Sequence, residues 1–195
     1  MNIEIKKLTP NLAEDYVRFF DVTPHDDHTV KAELPCYCVT WRSDDSYVGN
    51  DHWYSAREER REKALEFVKN GYLQGYLAYH DGKIVGWCNA NANCKMGISY
   101  LREFWPIEEY DDQIKVKPVF CFMIAPEMQG KGVASQLLER VCSDAAEDGF
   151  DYVEAYANKE IIDYDFRGPV RLYEKCGFHQ YAERDGRVVM RKELK

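Results

Sequence analysis

Residues 129–134 read Gln-Gly-Lys-Gly-Val-Ala and join two runs of different period. Upstream, residues 116–124 are strongly apolar, as expected of a buried strand. Downstream, Val133, Leu137, Leu138, Val141, Cys142 and Ala145 recur at helical spacing, opposite Glu139, Arg140, Ser143, Asp144 and Glu147. A glycine loop opening a helix suits one chemistry above others. The first helical turn offers unpaired backbone N–H groups and the positive end of the macrodipole, and glycines let that backbone approach a ligand. Such a loop suits a pyrophosphate. Two nucleotide motifs were tested against it. The P-loop needs Ser or Thr after its lysine, but Gly132 follows Lys131. The dinucleotide fingerprint needs a third glycine where Ser135 stands. Both fail.

The pattern that fits is Gln129-x-x-Gly132-x-Ala134, which resembles the Q/R-x-x-G-x-G/A signature of the GNAT acetyltransferase superfamily. Phe122-Met123-Ile124-Ala125-Pro126 resembles the strand that leads into that loop. Leu172-Tyr173-Glu174-Lys175-Cys176-Gly177-Phe178 resembles the family's L-Y-x-x-x-G-F helix end. The resemblance covers most of the chain, with its specific residues between about 119 and 178. It implies that the amides of Gln129, Gly130, Lys131, Gly132, Val133 and Ala134 bind the pyrophosphate of acetyl-CoA. It implies too that the backbone of Phe122, Met123 and Ile124 pairs with the pantetheine arm. One strand amide would polarise the thioester carbonyl, because amine attack builds charge on that oxygen and a fixed N–H stabilises it. Lys131 either adds a phosphate contact or is a solvated loop lysine.

Tyr173 matches the family's usual general acid, a phenol able to protonate the departing CoA thiolate. Its alternative is simple packing on the sheet. Asn158 stands where many relatives place a CoA-contacting Asn, although residues 159–168 look like an insertion relative to shorter members. Glu154 is the natural general-base candidate on its strand, against the reading of an ordinary sheet-face carboxylate. A chain of waters can deprotonate the amine instead.

The elements that must position these residues are legible in outline. Residues 2–8 alternate as a first strand, and Thr9-Pro10 opens a helix carrying Leu12, Tyr16, Phe19 and Phe20. Residues 22–50 are irregular apart from a strand-like island at 36–41. A charged helix over about 54–70 stops at Gly71. Runs 72–79 and 83–90 flank Asp81-Gly82, a strong hairpin signal. Residues 91–115 form a second irregular insertion containing Tyr100, Phe104, Trp105 and Tyr110. After the strand at 116–124 and the helix from 133 come a strand at 151–157, a short helix at 170–176, and strands at 178–184 and 187–192. The last two are joined by Asp185-Gly186. The expected fold is α/β (α+β): one domain over residues 1–195, with a GNAT-like mixed, mostly antiparallel central sheet flanked by helices and insertions at about 22–50 and 91–115.

Composition narrows the partners. The chain has 195 residues, 26 basic against 34 acidic, for a net charge of −8. A phosphate backbone is repelled by such a protein, whereas small cations such as amines are attracted. No apolar run approaches a membrane span, and MNIEIKKLTP has no secretory core, so a cytoplasmic protein is expected. The seven cysteines are then read as reduced. His25, Asp26, Asp27 and His28 with Cys36 and Cys38 are ligand-type side chains, but their spacing is not that of structural zinc sites, and no metal is expected. That stretch either helps form the acceptor site or is a polar surface loop. Trp105, Tyr100 and Tyr110 either line that site or anchor their insertion.

The expected activity is acetyl transfer from acetyl-CoA to a primary amine by direct attack, with a small-molecule acceptor. A protein or peptide acceptor is the first alternative, and a non-catalytic acyl-CoA-binding sensor the second. The family resemblance leaves a homodimer open. Neither nucleic acid nor a membrane is an expected partner.

Overall fold

The computed structural model describes residues 1–23, 35–43, 54, 56–109, 113–160 and 166–195. His25, Asp26, Asp27, His28 and Tyr110 lie outside the described residues.

Among the described residues, eight strands form two four-stranded sheets. The first has the order β1 (Glu4–Lys7), β2 (Gly75–His80), β3 (Lys83–Asn89), β5 (Cys121–Ile124), and every pairing in it is antiparallel. The second has the order β4 (Val116–Val119), β6 (Tyr152–Asn158), β8 (Arg187–Glu193), β7 (His179–Arg184). There β4 and β6 run parallel and the other pairs antiparallel. Both Asp-Gly dipeptides make the turns their sequence predicts, with φ of 50° and 74° at Asp81 and Gly82, and 51° and 76° at Asp185 and Gly186. Two successive positive φ values match the twist of the flanking strands.

The apolar run 116–124 reads as one strand but is two. At Phe120 the chain changes sheets. The Phe120 N–H donates to the Asn89 carbonyl at 3.0 Å while Cys121 is also the register partner of Asn89, so two residues oppose one. This is a bulge, which bends the strand and re-aims it. Before it, β4 pairs with β6 as far as Val119 and Ala155. Beyond it, among the described residues, β5 pairs only with β3, and the end of β6 only with β8. The sheets therefore splay apart between β5 and the C-terminal half of β6.

Helices cover both faces. On one side α1 (Ala13–Val22) and α2 (Arg57–Lys69) bury Tyr16, Val17, Phe20, Ala64 and Phe67 against Trp87, Phe120 and Tyr156. On the other, α4 (Val133–Glu147) buries the six apolar residues its periodicity predicts, and α5 (Val170–Lys175) lies beside it. One device ends α2, α4 and α5. In α5 the Gly177 N–H bonds the Glu174 carbonyl at 3.0 Å, the Phe178 N–H bonds the Tyr173 carbonyl at 3.0 Å, and Gly177 has φ of 83°. This is the Schellman arrangement, which needs a left-handed residue that only glycine adopts without strain.

Two expectations change. The island 36–41 is a turn and not a strand. Tyr37 and Cys38 have φ of 45° and 54°, and the Val39 and Trp41 N–H groups bond back to the Cys36 and Cys38 carbonyls. Its apolar residues are buried as anchors: Tyr37 is fully covered and its carbonyl accepts from the Tyr16 hydroxyl at 2.7 Å. The insertion 91–115 is not wholly irregular, since α3 (Lys95–Arg102) crosses it and buries Leu101.

Candidate active site

The splay is where the site residues meet. Along β5 the hydrogen-bonding groups alternate in direction. Those of Cys121 and Met123 face β3, so those of Phe122 and Ile124 face the opening. Of the three strand residues singled out in the sequence, Met123 thus directs its backbone to β3. The Ile124 carbonyl accepts from Gln129 Nε2 at 3.3 Å, which ties the loop's first residue to the strand end.

The loop takes the conformation its glycines permit. Gly130 and Gly132 have φ of 72° and 82°, and among the described residues a Cβ built on either would meet nothing within 4 Å beyond the adjoining chain. The space above the loop is open. Gly132 is the N-cap of α4 and brings no capping side chain, so the N–H groups of the first turn are left for a ligand. Lys131 is exposed, Val133 is buried in the core beneath, and Ala134 is half-buried. The Gln129 and Lys131 N–H groups bond back to the Pro126 and Met128 carbonyls at 3.3 and 3.4 Å, so the first-turn amides, the positive end of the dipole and the exposed Lys131 are what this cradle offers a pyrophosphate.

Tyr173 is fully buried on α5. Its ring packs on Phe178 at 5.5 Å and Phe122 at 6.4 Å. The helix-end motif explains the first contact, because the Schellman turn brings its third-last and second-following residues together. The Tyr173 hydroxyl donates to the Arg167 carbonyl. One residue earlier, the Phe166 carbonyl accepts from the Phe122 N–H at 2.6 Å. Gly168, at φ of 79°, sits against both, with its direction of substitution 3.6 Å from the Phe122 ring and from the Tyr173 hydroxyl. Residues 166–168 therefore run through the splay and bond the two groups on which sequence reasoning centred.

Glu154 is paired with Arg191 across β6 and β8. Its carboxylate is 1% exposed and receives Arg191 Nη2 at 2.7 Å and Nε at 2.8 Å. Arg191 lies 3.1 Å from the Tyr181 ring centroid, closing the pair from above. Asn158 ends β6, half-buried, as the register partner of Arg187. Cys121 faces Cys38, with the sulfurs 2.9 Å apart, and burial pushes its thiol well above the ordinary range. A thiol held protonated is a poor nucleophile. Among the described residues, no group of three or more His, Cys, Asp or Glu could hold a metal ion.

Sequence reasoning missed Trp41 and Arg167. Trp41 is stacked on Phe120 at 5.0 Å, with Gly97 of α3 packed so closely that a Cβ there would lie 2.9 Å from the indole. Arg167 is 7% exposed, its guanidinium 4.5 Å from the Trp105 ring centroid and 5.3 Å from that of Trp41. Trp105 is itself fixed by an Nε1 hydrogen bond to the Ala157 carbonyl at 3.0 Å. The signal for this cluster is the inserted stretch ahead of Tyr173, which brings Phe166, Arg167 and Gly168 to the splay.

Two half-sheets splayed around a bulged strand, with a glycine loop at the mouth, define an acyl-CoA-dependent acyltransferase architecture. The family model of the acetyltransferase (GNAT) family matches residues 12–178, and the chain belongs to that family. It is an acyltransferase. Solved structures agree in fold. The chain is similar to an N-acetyltransferase from Staphylococcus aureus Mu50 (12% identity, 100% of both chains covered, TM-score 0.56). It is similar to the PaiA N-acetyltransferase from Thermoplasma acidophilum, solved in complex with coenzyme A (16% identity, 99% of both chains, TM-score 0.56). A third is the Drosophila melanogaster polyamine N-acetyltransferase, which forms N-acetylagmatine (13% identity, 99% of this chain and 100% of that one, TM-score 0.54). No curated protein matches the sequence. Among the described residues, no helix is long and apolar enough to cross a membrane.

Proposed function

We propose that the chain transfers the acetyl group of acetyl-CoA to a primary amine of a small molecule, by direct attack on the thioester. The observation that carries this reading is the splay itself, with a glycine loop and an uncapped helix start at its mouth and one strand edge turned inward. The amides of Gly130, Gly132, Val133 and Ala134 hold the pyrophosphate, those of Gln129 and Lys131 being bonded to the Pro126 and Met128 carbonyls, and the edge of β5 at Phe122 and Ile124 receives the pantetheine arm as an added strand. The Phe122 N–H is the donor for the thioester oxygen as negative charge develops there. Tyr173 gives its hydroxyl proton, or a strong hydrogen bond, to the departing thiolate. The high-pKa, buried Cys121 supports direct attack over an acyl-enzyme. Glu154 is taken up by Arg191, so water takes the proton from the acceptor ammonium and the neutral amine then attacks. Net charge of −8 favours a cationic acceptor.

Calorimetric titration with acetyl-CoA, and with free CoA as comparison, tests the first half. Micromolar binding of both is expected, followed by amine-dependent thiol release. Absence of binding would make the loop a structural turn and overturn the reading.

A further inference from the structure

The splay already holds a piece of this chain, and each contact has a counterpart in the transfer reaction. The Phe122 N–H, the donor meant for the thioester oxygen, bonds the Phe166 carbonyl at 2.6 Å. The Tyr173 hydroxyl, meant for the leaving sulfur, bonds the Arg167 carbonyl. From that backbone the Arg167 side chain extends to the face carrying α1 and α2, where its guanidinium lies over Trp105 at 4.5 Å and Trp41 at 5.3 Å. It also lies 4.7 Å from its neighbour Phe166. Trp41 and Trp105 are 7% and 6% exposed. Both rings are held independently of Arg167: Trp41 by Phe120 and Gly97, Trp105 by the Ala157 carbonyl. The same indole of Trp105 also lies 5.4 Å from the Arg187 guanidinium. Rings fixed in this way attract a cation through their negative faces, most strongly where water is excluded.

We propose that Trp41 and Trp105 form the cation subsite for the acceptor, and that Arg167 is its internal occupant. The inference rests on the reading of the splay as the transfer site. It specifies the acceptor further. The reacting amine stands where the Arg167 backbone now meets Tyr173, and a second cationic group, guanidinium or ammonium, stands between the indoles about one arginine side chain away. The acceptor class is therefore a diamine or guanidino-amine with a short alkyl spacer. Acetyl-CoA and acceptor together must displace residues 166–168, since one N–H cannot serve both the Phe166 carbonyl and a thioester.

Arg167→Ala is the test, with 4-aminobutylguanidine and butylamine as probes, titrated by calorimetry and tryptophan fluorescence. Expected is at least tenfold tighter binding of 4-aminobutylguanidine by the variant than by the wild type. The variant should also prefer it at least tenfold over butylamine, and a further Trp105→Ala change should abolish that preference. Equal binding of the two probes, no gain over the wild type, or indifference to Trp105→Ala would overturn the proposal. Should Arg167→Ala not fold, Arg167→Gln is scored by the same criteria. Acetyl-CoA titrated into the same proteins separates the two readings. Guanidine preference without acetyl-CoA binding retains the cation site and sinks the transfer reading; the converse sinks only the cation subsite.

Discussion

At the scale of single residues, Tyr173 and Glu154 illustrate how burial sorts candidates that look alike in sequence. Both are fully covered, yet the Tyr173 hydroxyl reaches the splay while the Glu154 carboxylate is clasped by Arg191. Replacing Tyr173 with Phe removes the proton donor and little volume. Turnover should fall about 100-fold or more, at the lower end of what a positioned acid contributes, while CoA affinity stays within a few-fold. Steady-state kinetics with a CoA titration checks this, and unchanged turnover would remove the assignment. For Glu154 the expected effect is on stability. Glu154→Met strands a buried guanidinium and should destabilise the fold by about 3–5 kcal/mol, whereas Glu154→Met with Arg191→Met should recover most of that loss. Urea unfolding of the single and double variants reads it directly.

At the scale of elements, the loop and the helix ends share one requirement, a left-handed backbone at a defined position. Gly132 meets no neighbour that a Cβ would strike, so Gly132→Ala is opposed by its φ of 82° alone. The strain is about 1–2 kcal/mol. The added methyl also stands in the open space above the loop. A modest drop in thermal midpoint with at least a tenfold loss of acetyl-CoA affinity is expected. A drop in midpoint with unchanged affinity would show that the ligand does not approach Gly132. The bulge at Phe120 is the other decisive element feature. It divides an apolar run, uniform in its sequence, between two sheets, and so creates the cleft.

At the scale of the whole molecule, charge is distributed so that few cations are buried, and Lys117 on β4 is one of them. It is 6% exposed, its ammonium 5.3 Å from the Phe150 ring centroid, and burial holds its pKa below the ordinary value. The unfolded chain therefore binds this proton more tightly than the folded one. Stability rises with pH between the lowered folded pKa and about 10.4, the value of a free lysine. Below that window both states are protonated and the penalty is constant. Lys117→Met should raise the urea midpoint at neutral pH and flatten its rise toward pH 10. A wild-type midpoint that falls through this window would contradict the assignment.

Much of this protein is local and was therefore legible. The α4 face, the two Asp-Gly turns, and the Gly177-Phe178 helix end follow from periodicity and from the few residues that tolerate positive φ. The loop signature and the Tyr173 helix are contiguous motifs, so family and fold class could be read from them. The sequence did not show that 36–41 is a turn, because buried apolar anchors and strand residues look alike when neither has a partner in view. Nor did it show that Arg191 holds Glu154, since Arg191 stands 37 positions away and the β6–β8 register joins them. The placement of Trp41, Trp105 and Arg167 together depends on three segments far apart in the chain. Local patterns are set by neighbours within a turn or two, whereas a cleft and its occupant are set by which surfaces pack together. That packing is a property of the folded chain.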